Sequence, residues 1–256
     1  MKIARYLADG SPRYGIVEDG TVYQADGDLF DGLSKGAEVG SIDSLTLLPP
    51  VDPSKIVAIG LNYALHVTEN DPTRSVPTEP VIFMKPQSAL IGNGETIQLP
   101  MDTENIHYEA ELAVVIGKRA RRVSEADAYD YVLGLTCGND VSARILQAKD
   151  GQWTRAKGFD TFLPLGPAVN VGLRADDLAV QSRLNGEVRQ SARTSQMIFS
   201  VPKLIAFISR VMTLDPGDVI ITGTPAGVGP MKPGDTIEVE VEGIGVLRNP
   251  VAAESV

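Results

Sequence analysis

The stretch that decides the fold begins His107-Tyr108-Glu109-Ala110-Glu111-Leu112-Ala113-Val114-Val115-Ile116. It continues to Gly138-Asn139-Asp140 and closes at Lys157-Gly158-Phe159-Asp160-Thr161-Phe162. Its first segment alternates and is rich in valine and isoleucine, which reads as a strand ending at Gly117. Strand side chains repeat every two residues, so Glu109 and Glu111 share one face, with His107 on the same side. Two carboxylates held that close repel each other. They must share a proton, stay wet or bind a cation.

A third carboxylate follows. Tyr131 to Cys137 reads as a second strand, Gly138-Asn139 as a turn, and Asp140 as the N-cap of a short helix through Gln147. On that helix Arg144 and Gln147 fall on the stripe of Asp140. Three carboxylates, an arginine, a glutamine and Lys157 form a dense polar set within apolar elements. All-oxygen ligation of this kind suits a hard divalent ion such as Mg²⁺, Mn²⁺ or Ca²⁺.

Outward from this block the chain is ordinary for a soluble globular protein, with 43% hydrophobic and 22% charged residues. The formal charge of −10, from 33 acidic against 23 basic residues, argues against nucleic acid as a partner. An anionic substrate therefore needs local cations, which the block supplies. The single cysteine, Cys137, excludes an internal disulfide and a cysteine-based zinc site, and its place in an apolar strand makes it a buried thiol. The start, Met1-Lys2-Ile3-Ala4-Arg5, has no signal-peptide core, and no stretch approaches the roughly 18 apolar residues of a membrane span. The expectation is a cytoplasmic protein with no membrane partner.

In chain order, Lys2 to Leu7, Tyr14 to Val17 and Thr21 to Ala25 read as a small antiparallel meander, and residues 26 to 50 as looser chain. Leu48-Pro49-Pro50-Val51-Asp52-Pro53 marks a linker, so the expected organisation is a small N-terminal β-rich domain over 1–50 and a catalytic domain over 51–256. Lys55 to Ile59 is a short strand. A helix start at Asn62-Tyr63 then carries His66 and Glu69 at i and i+3, able to face the same way. Asn70 to Pro80 has three prolines and no periodicity, a loop long enough to act as a lid with the residues from 64 onward. Asn185-Gly186 marks a hairpin, Ser200 to Met212 the one long helix, and Thr236 to Val241 a closing strand. Gly223 to Gly229 is glycine-rich but lacks the lysine ending of a phosphate loop, which removes nucleotide binding.

The runs Tyr-Glu-x-Glu-Leu-Ala-Val-Val-Ile-Gly, Asn-Asp-Val-Ser-Ala-Arg and Lys-Gly-Phe-Asp-Thr-Phe resemble the fumarylacetoacetate hydrolase family. So do Gly60-Leu61-Asn62-Tyr63 with His66, and Gly223-Thr224-Pro225-Ala226-Gly227-Val228-Gly229. The resemblance spans roughly residues 50 to 250. It implies a mixed β fold with few helices, a β-roll or β-sandwich-like catalytic domain, and commonly a homodimer.

The resemblance further implies Glu109, Glu111 and Asp140 as ligands for Mg²⁺ or Mn²⁺, and a small anionic 2-oxo acid or β-diketo acid as substrate. His66 with Glu69 would deprotonate water. Asn62, Tyr63, Arg144, Gln147 and Thr224 would bind substrate, and Lys157 would stabilise charge in the reaction. The implied activity is hydrolysis of a C–C bond in an acylpyruvate through a metal-stabilised enolate. Isomerisation of a hydroxymuconate-type diacid and decarboxylation of oxaloacetate use the same enolate. Two positions depart from the family, which usually carries aspartate where Ile145 and His107 stand. Arg144 thus lacks support from position 145, and an imidazole at 107 can favour a transition metal.

Two readings of another class stand against the enzyme. A non-catalytic, Ca²⁺-stabilised interaction domain would bind metal without His66 or Lys157 affecting any turnover. A glycosidase needs carboxylates flanking the scissile bond, whereas Glu109 and Glu111 project from one strand on one side, so that reading is set aside.

Overall fold

A computed structural model describes residues 1–69 and 71–254. Position 70, which opens the expected lid loop, and positions 255–256, which end the expected catalytic domain, lie outside the described residues. The main strands are β1 (Lys2–Ala8), β2 (Ser11–Glu18), β3 (Thr21–Asp28), β4 (Gly32–Ser41), β5 (Ile56–Gly60), β6 (Val81–Lys85), β7 (Ala110–Ile116), β8 (Val132–Asn139), β9 (Leu163–Val171), β10 (Ala179–Leu184), β11 (Glu187–Arg193), β12 (Val219–Ile221), β13 (Thr236–Val241) and β14 (Gly245–Ala253). The helices are α1 (Ala64–Thr68), α2 (Arg144–Asp150), α3 (Thr154–Lys157) and α4 (Val201–Val211). Strands dominate and helices are few, as the sequence predicts.

The largest sheet runs β4-β3-β2-β1-β9-β8-β7-β12-β5-β6, and a second runs β11-β10-β13-β14 with Ile97–Leu99 at its edge. Strand β7 lies at the centre because all seven of its residues are buried, which the near-continuous apolar run demands. Its two faces feed two cores. Leu112, Val114 and Ile116 pack with Leu204, Ile205 and Ile208 of α4 and with Val239 and Val241 of β13. Ala113 and Val115 pack with Ile56, Val219, Ile221, Leu163 and Leu165. Full burial of each such aliphatic side chain stabilises by about 1.5–3 kcal/mol, so the strand that carries Glu111 is anchored from both sides.

Three local expectations differ from the structure. The segment expected as one strand from His107 breaks at Glu109, leaving Ile106–Tyr108 and β7 as separate pieces. The break has a cause in hydrogen bonding: the Glu109 amide donates to Asn139 Oδ1 and the Ala110 amide to Gln190 Oε1, side chains instead of a neighbouring strand. Asp140 is not an N-cap. Ser142–Ala143 pairs as a strand with Ile106 and His107, and α2 begins only at Arg144. The carboxylate of Asp140 is committed to lysines instead. Residues 26 to 50 are also more regular than their composition implies, because β4 closes the meander as an exposed, irregularly registered edge strand. Polar and glycine-rich sequence of that kind carries no period-2 signal.

The meander is joined to the main sheet through β1, whose Lys2 and Ile3 pair with Asn170 and Val169 of β9. Helix α4 and the hairpin at Asn185-Gly186 lie where the sequence places them, the turn having positive φ at both central residues (54° and 82°) as a type I′ turn requires. No helix among the described residues is long and apolar enough to cross a membrane.

Candidate active site

Carboxylate oxygens of Glu109, Glu111 and Asp140 lie within 4.8 Å of one another, and all three residues are buried. Glu111 projects from the start of β7, Glu109 from the break before it, and Asp140 from the end of β8, its amide donating to the Glu109 carbonyl at 3.0 Å. Two lysines face the triad. Lys157 Nζ donates to Glu109 Oε2 and Asp140 Oδ2, both at 2.7 Å, and Lys85 Nζ donates to Asp140 Oδ1 at 2.7 Å. Arg144 Nη2 lies 2.6 Å from Glu109 Oε1 as an ion pair, while its Nη1 donates to Gln147 Oε1 at 2.9 Å. The support that Arg144 lacks from the exposed Ile145 thus comes from Glu109 and Gln147.

Electrostatics divides the triad. Burial pushes the Glu109 carboxyl up, but Lys157 and Arg144 outweigh it and hold it well below the usual carboxylate range. Glu111 makes no ion pair of its own among the described residues. Burial, with the negative charges of Asp140 and Glu109, drives its pKa well above normal, and the nearby Lys157 charge and the Gly223 amide, 2.6 Å from Oε2, offset this only in part. Burial alone would lower Lys157, yet Asp140 and Glu109 raise it above its ordinary value; Lys85, fully buried and close to Lys157, is lowered. The donor set therefore fits a hard divalent cation. It is all oxygen, it converges, and the raised pKa of Glu111 disfavours its anion until a cation compensates the crowded negative charge.

A proton that a cation must displace gives a direct prediction. Affinity for Mg²⁺ or Mn²⁺ should rise with pH, by up to about tenfold per unit, until Glu111 is ionised in the free protein. The same shift predicts that, without an ion, stability contributed by neutral Glu111 is complete below about pH 4.3 and is lost as pH rises through the raised pKa. Calorimetry in buffers of differing ionisation enthalpy reads the released proton. Undiminished metal affinity in Glu111→Gln would remove Glu111 from the ligand set.

The triad opens into a cavity of about 490 Å³ whose walls include His66, His107, Gln147, Trp153, Lys157 and Thr224. His66 and Glu69 come together as expected, with Nδ1 2.9 Å from Oε2, and Glu69 Oε1 accepts from the Gly227 amide at 2.7 Å. The pairing leaves Nε2 as the free ring nitrogen. Thr224 lines the cavity, its hydroxyl donating to the Ala110 carbonyl at 2.9 Å and accepting from Gln190 Nε2 at 2.7 Å.

Asn62 and Tyr63 are not brought to the cavity wall. The Asn62 amide is saturated by the backbone of Phe199 and Thr222, and Tyr63 is buried with an unpartnered hydroxyl among the described residues. His107 Nε2 donates to Asn105 Oδ1, 2.8 Å away; burial, then Arg144, pushes its pKa down to about 4, which keeps the ring neutral. Cys137 is buried, and burial pushes its thiol up to about 12, far from a nucleophile.

Three residues of the site have no counterpart in the sequence reading. Lys85 ends an apolar strand, and its place on the Val81-Phe83 face was the available signal; Phe83 stacks edge-on to Trp153 and lies beneath the Lys157 ammonium. Trp153 packs so closely over Gly60 that a Cβ there would sit 2.3 Å from its ring. Gln190, fully buried in β11, ties Ala110, Thr224 and Pro225 together, and nothing local in its sequence announces that.

Fold and site together define a β-rich protein with a buried acidic centre and, on the wall of the same cavity, an imidazole held by a carboxylate. Residues 55–252 match the family model described as fumarylacetoacetate (FAA) hydrolase C-terminal, and residues 1–50 match one described as Rv2993c-like, N-terminal. The chain is 52% identical over 250 residues to an uncharacterised protein of Archaeoglobus fulgidus, covering 96% of this chain and 94% of that one. It is 41% identical over 232 residues to the mitochondrial oxaloacetate tautomerase fahd2 of Xenopus laevis, covering 86% and 72%. The crystal structure of 5-carboxymethyl-2-hydroxymuconate delta-isomerase from Mycobacterium smegmatis superposes with a TM-score of 0.91 at 44% identity, covering 99% of this chain and 100% of that one. The protein belongs to the fumarylacetoacetate hydrolase family, a family of enzymes.

Proposed function

We propose that the protein moves a proton within a small anionic 2-oxo acid, as a tautomerase or double-bond isomerase, with its triad loaded by Mg²⁺ or Mn²⁺. The observation that carries this reading is that His66, paired with Glu69, lines the same cavity as Glu109 and Glu111 of the acidic triad. Glu109, Glu111 and Asp140 would hold the divalent ion, which would supply Lewis-acid polarisation of the substrate's oxygens. The names of the tautomerase and isomerase relatives support the reaction class.

The chain's own residues account for the rest. Glu69, held by the Gly227 amide, keeps the proton of the imidazole on Nδ1, so Nε2 presents its lone pair as a general base. The same nitrogen, once protonated, returns the proton to a neighbouring atom of the substrate. The Lys157 ammonium has three protons and spends two on Glu109 and Asp140; the third has no partner among the described residues and can meet charge developing on a substrate oxygen. Arg144 and Gln147, fixed to each other, offer guanidinium and amide donors to a substrate carboxylate. This local positive charge is what lets a chain of net charge −10 accept an anion.

C–C hydrolysis of an acylpyruvate is the second reading, because the same Nε2 can deprotonate a water. Assay of the Mg²⁺- or Mn²⁺-loaded protein on enol-oxaloacetate, a hydroxymuconate-type diacid and an acylpyruvate separates the two. Rearrangement without cleavage supports the isomerase; release of two acids establishes the hydrolase in its place. Failure to accelerate any of the three removes both.

A further inference from the structure

We propose that Tyr108 is a positioning residue for the His66–Glu69 pair, acting through Gly227; the inference rests on the reading of that pair as the proton-transfer group. Helix α1 has only five residues and no side-chain N-cap, so its own hydrogen bonds hold His66 weakly. The grip comes from beyond the helix, where Glu69 Oε1 accepts the Gly227 amide at 2.7 Å. Gly227 has φ +103°, and a Cβ there would lie 2.2 Å from the Arg189 carbonyl oxygen, so the position admits only glycine. Glycine torsions are soft, and something must aim that amide.

Two side chains do so, one on each side. Ahead of Gly227, the fully buried Gln190 donates Nε2 to the Pro225 carbonyl at 2.8 Å. After it, the Tyr108 hydroxyl donates to the Gly227 carbonyl at 3.0 Å. Tyr108 pairs with Gly229 across the short ladder, and a Cβ on Gly229 would fall 2.9 Å from the phenol oxygen; the glycine leaves room for the hydroxyl. Tyr108 lines a separate hollow behind the Gly227–Pro230 loop and is not among the walls of the cavity that His66 lines. It therefore acts on the imidazole through Gly227 and Glu69 and touches no substrate.

The test is Tyr108→Phe, which removes one oxygen and keeps the ring. Expected is a fall in kcat of roughly 10-fold, inside the ~10²-fold that misplacing a catalytic group by about 1 Å costs, with KM and metal affinity unchanged. The His66 Nδ1–H resonance, which has only His107 to be distinguished from, should move toward its position in Glu69→Gln. Adding Tyr108→Phe to Glu69→Gln should slow the enzyme no further, since both act along one path. Wild-type kcat, independent losses in the double variant, or weakened metal binding would each overturn the proposal, the last by showing that Tyr108 serves the adjacent Glu109. If Glu69→Gln moves kcat and the resonance while Tyr108→Phe moves neither, Tyr108 alone is misassigned. If Glu69→Gln itself changes nothing, the pair is not the proton-transfer group and both readings fall.

Discussion

Lys157→Met is expected to lower kcat by about 10²–10³-fold, the loss of about 2.7–4 kcal/mol seen when one preorganised donor to a developing oxyanion is removed. Methionine matches the length and bulk of the lysine stem, so the space over Phe83 stays filled although the ammonium–ring contact is lost. Removing one member of a buried ion pair ordinarily costs about 3–5 kcal/mol, because the partner charge is left bare. Here neither carboxylate is left bare: Lys85 still donates to Asp140, and Arg144 still faces Glu109. The fold should therefore hold. Metal affinity should be kept or tightened, since Glu109 and Asp140 lose a competing cation. Steady-state kinetics with a parallel metal titration decides the matter. Unchanged turnover would reduce Lys157 to charge compensation for the triad.

How much of this was legible in the sequence depends on the kind of signal. The apolar run over Ala110 to Ile116 and the two-residue spacing of Glu109 and Glu111 are local signals, and both glutamates reach the site even though the strand breaks at Glu109. The His66–Glu69 pair at i and i+3 is local too, and α1 realises it. Asp140 met the glutamates only through the antiparallel pairing of β7 with β8, where Ala110 faces Asn139. Sequence spacing cannot supply that register.

What the sequence misled on has one physical source: side chains competing for backbone groups. Asp140 looked like a helix cap because aspartate caps helices, yet two buried lysines outbid the backbone amides for its carboxylate. The family resemblance implies Asn62 as a substrate ligand, whereas here three backbone groups occupy its amide. Lys85 and Gln190 were invisible for the converse reason. Lys85 ends an apolar strand and Gln190 sits among other polar residues, and the role of each follows only from which elements the sheet brings behind it.

His66→Ala should divide the chemistry that this cavity can perform. Abstraction of a proton by Nε2 contributes about 10²–10⁴-fold in such sites, so tautomerisation, isomerisation and acylpyruvate hydrolysis should all fall by that factor. Decarboxylation of oxaloacetate makes a different demand. Carbon dioxide departs without a base, and the electron pair left behind needs only positive charge, which Lys157 on the cavity wall and a cation held by the triad would supply. Any decarboxylation should thus survive in His66→Ala, with metal affinity unchanged because His66 is not among the three clustered carboxylates. Glu69→Gln should follow the same pattern more weakly, since Glu69 orients the ring without itself carrying the transferred proton. The measurement is one variant on two substrates, with added imidazole as a chemical rescue of the missing base. If proton transfer and decarboxylation fall together, and imidazole restores neither, His66 serves substrate binding or closure of the 64–80 segment. The general base must then be sought elsewhere in the cavity.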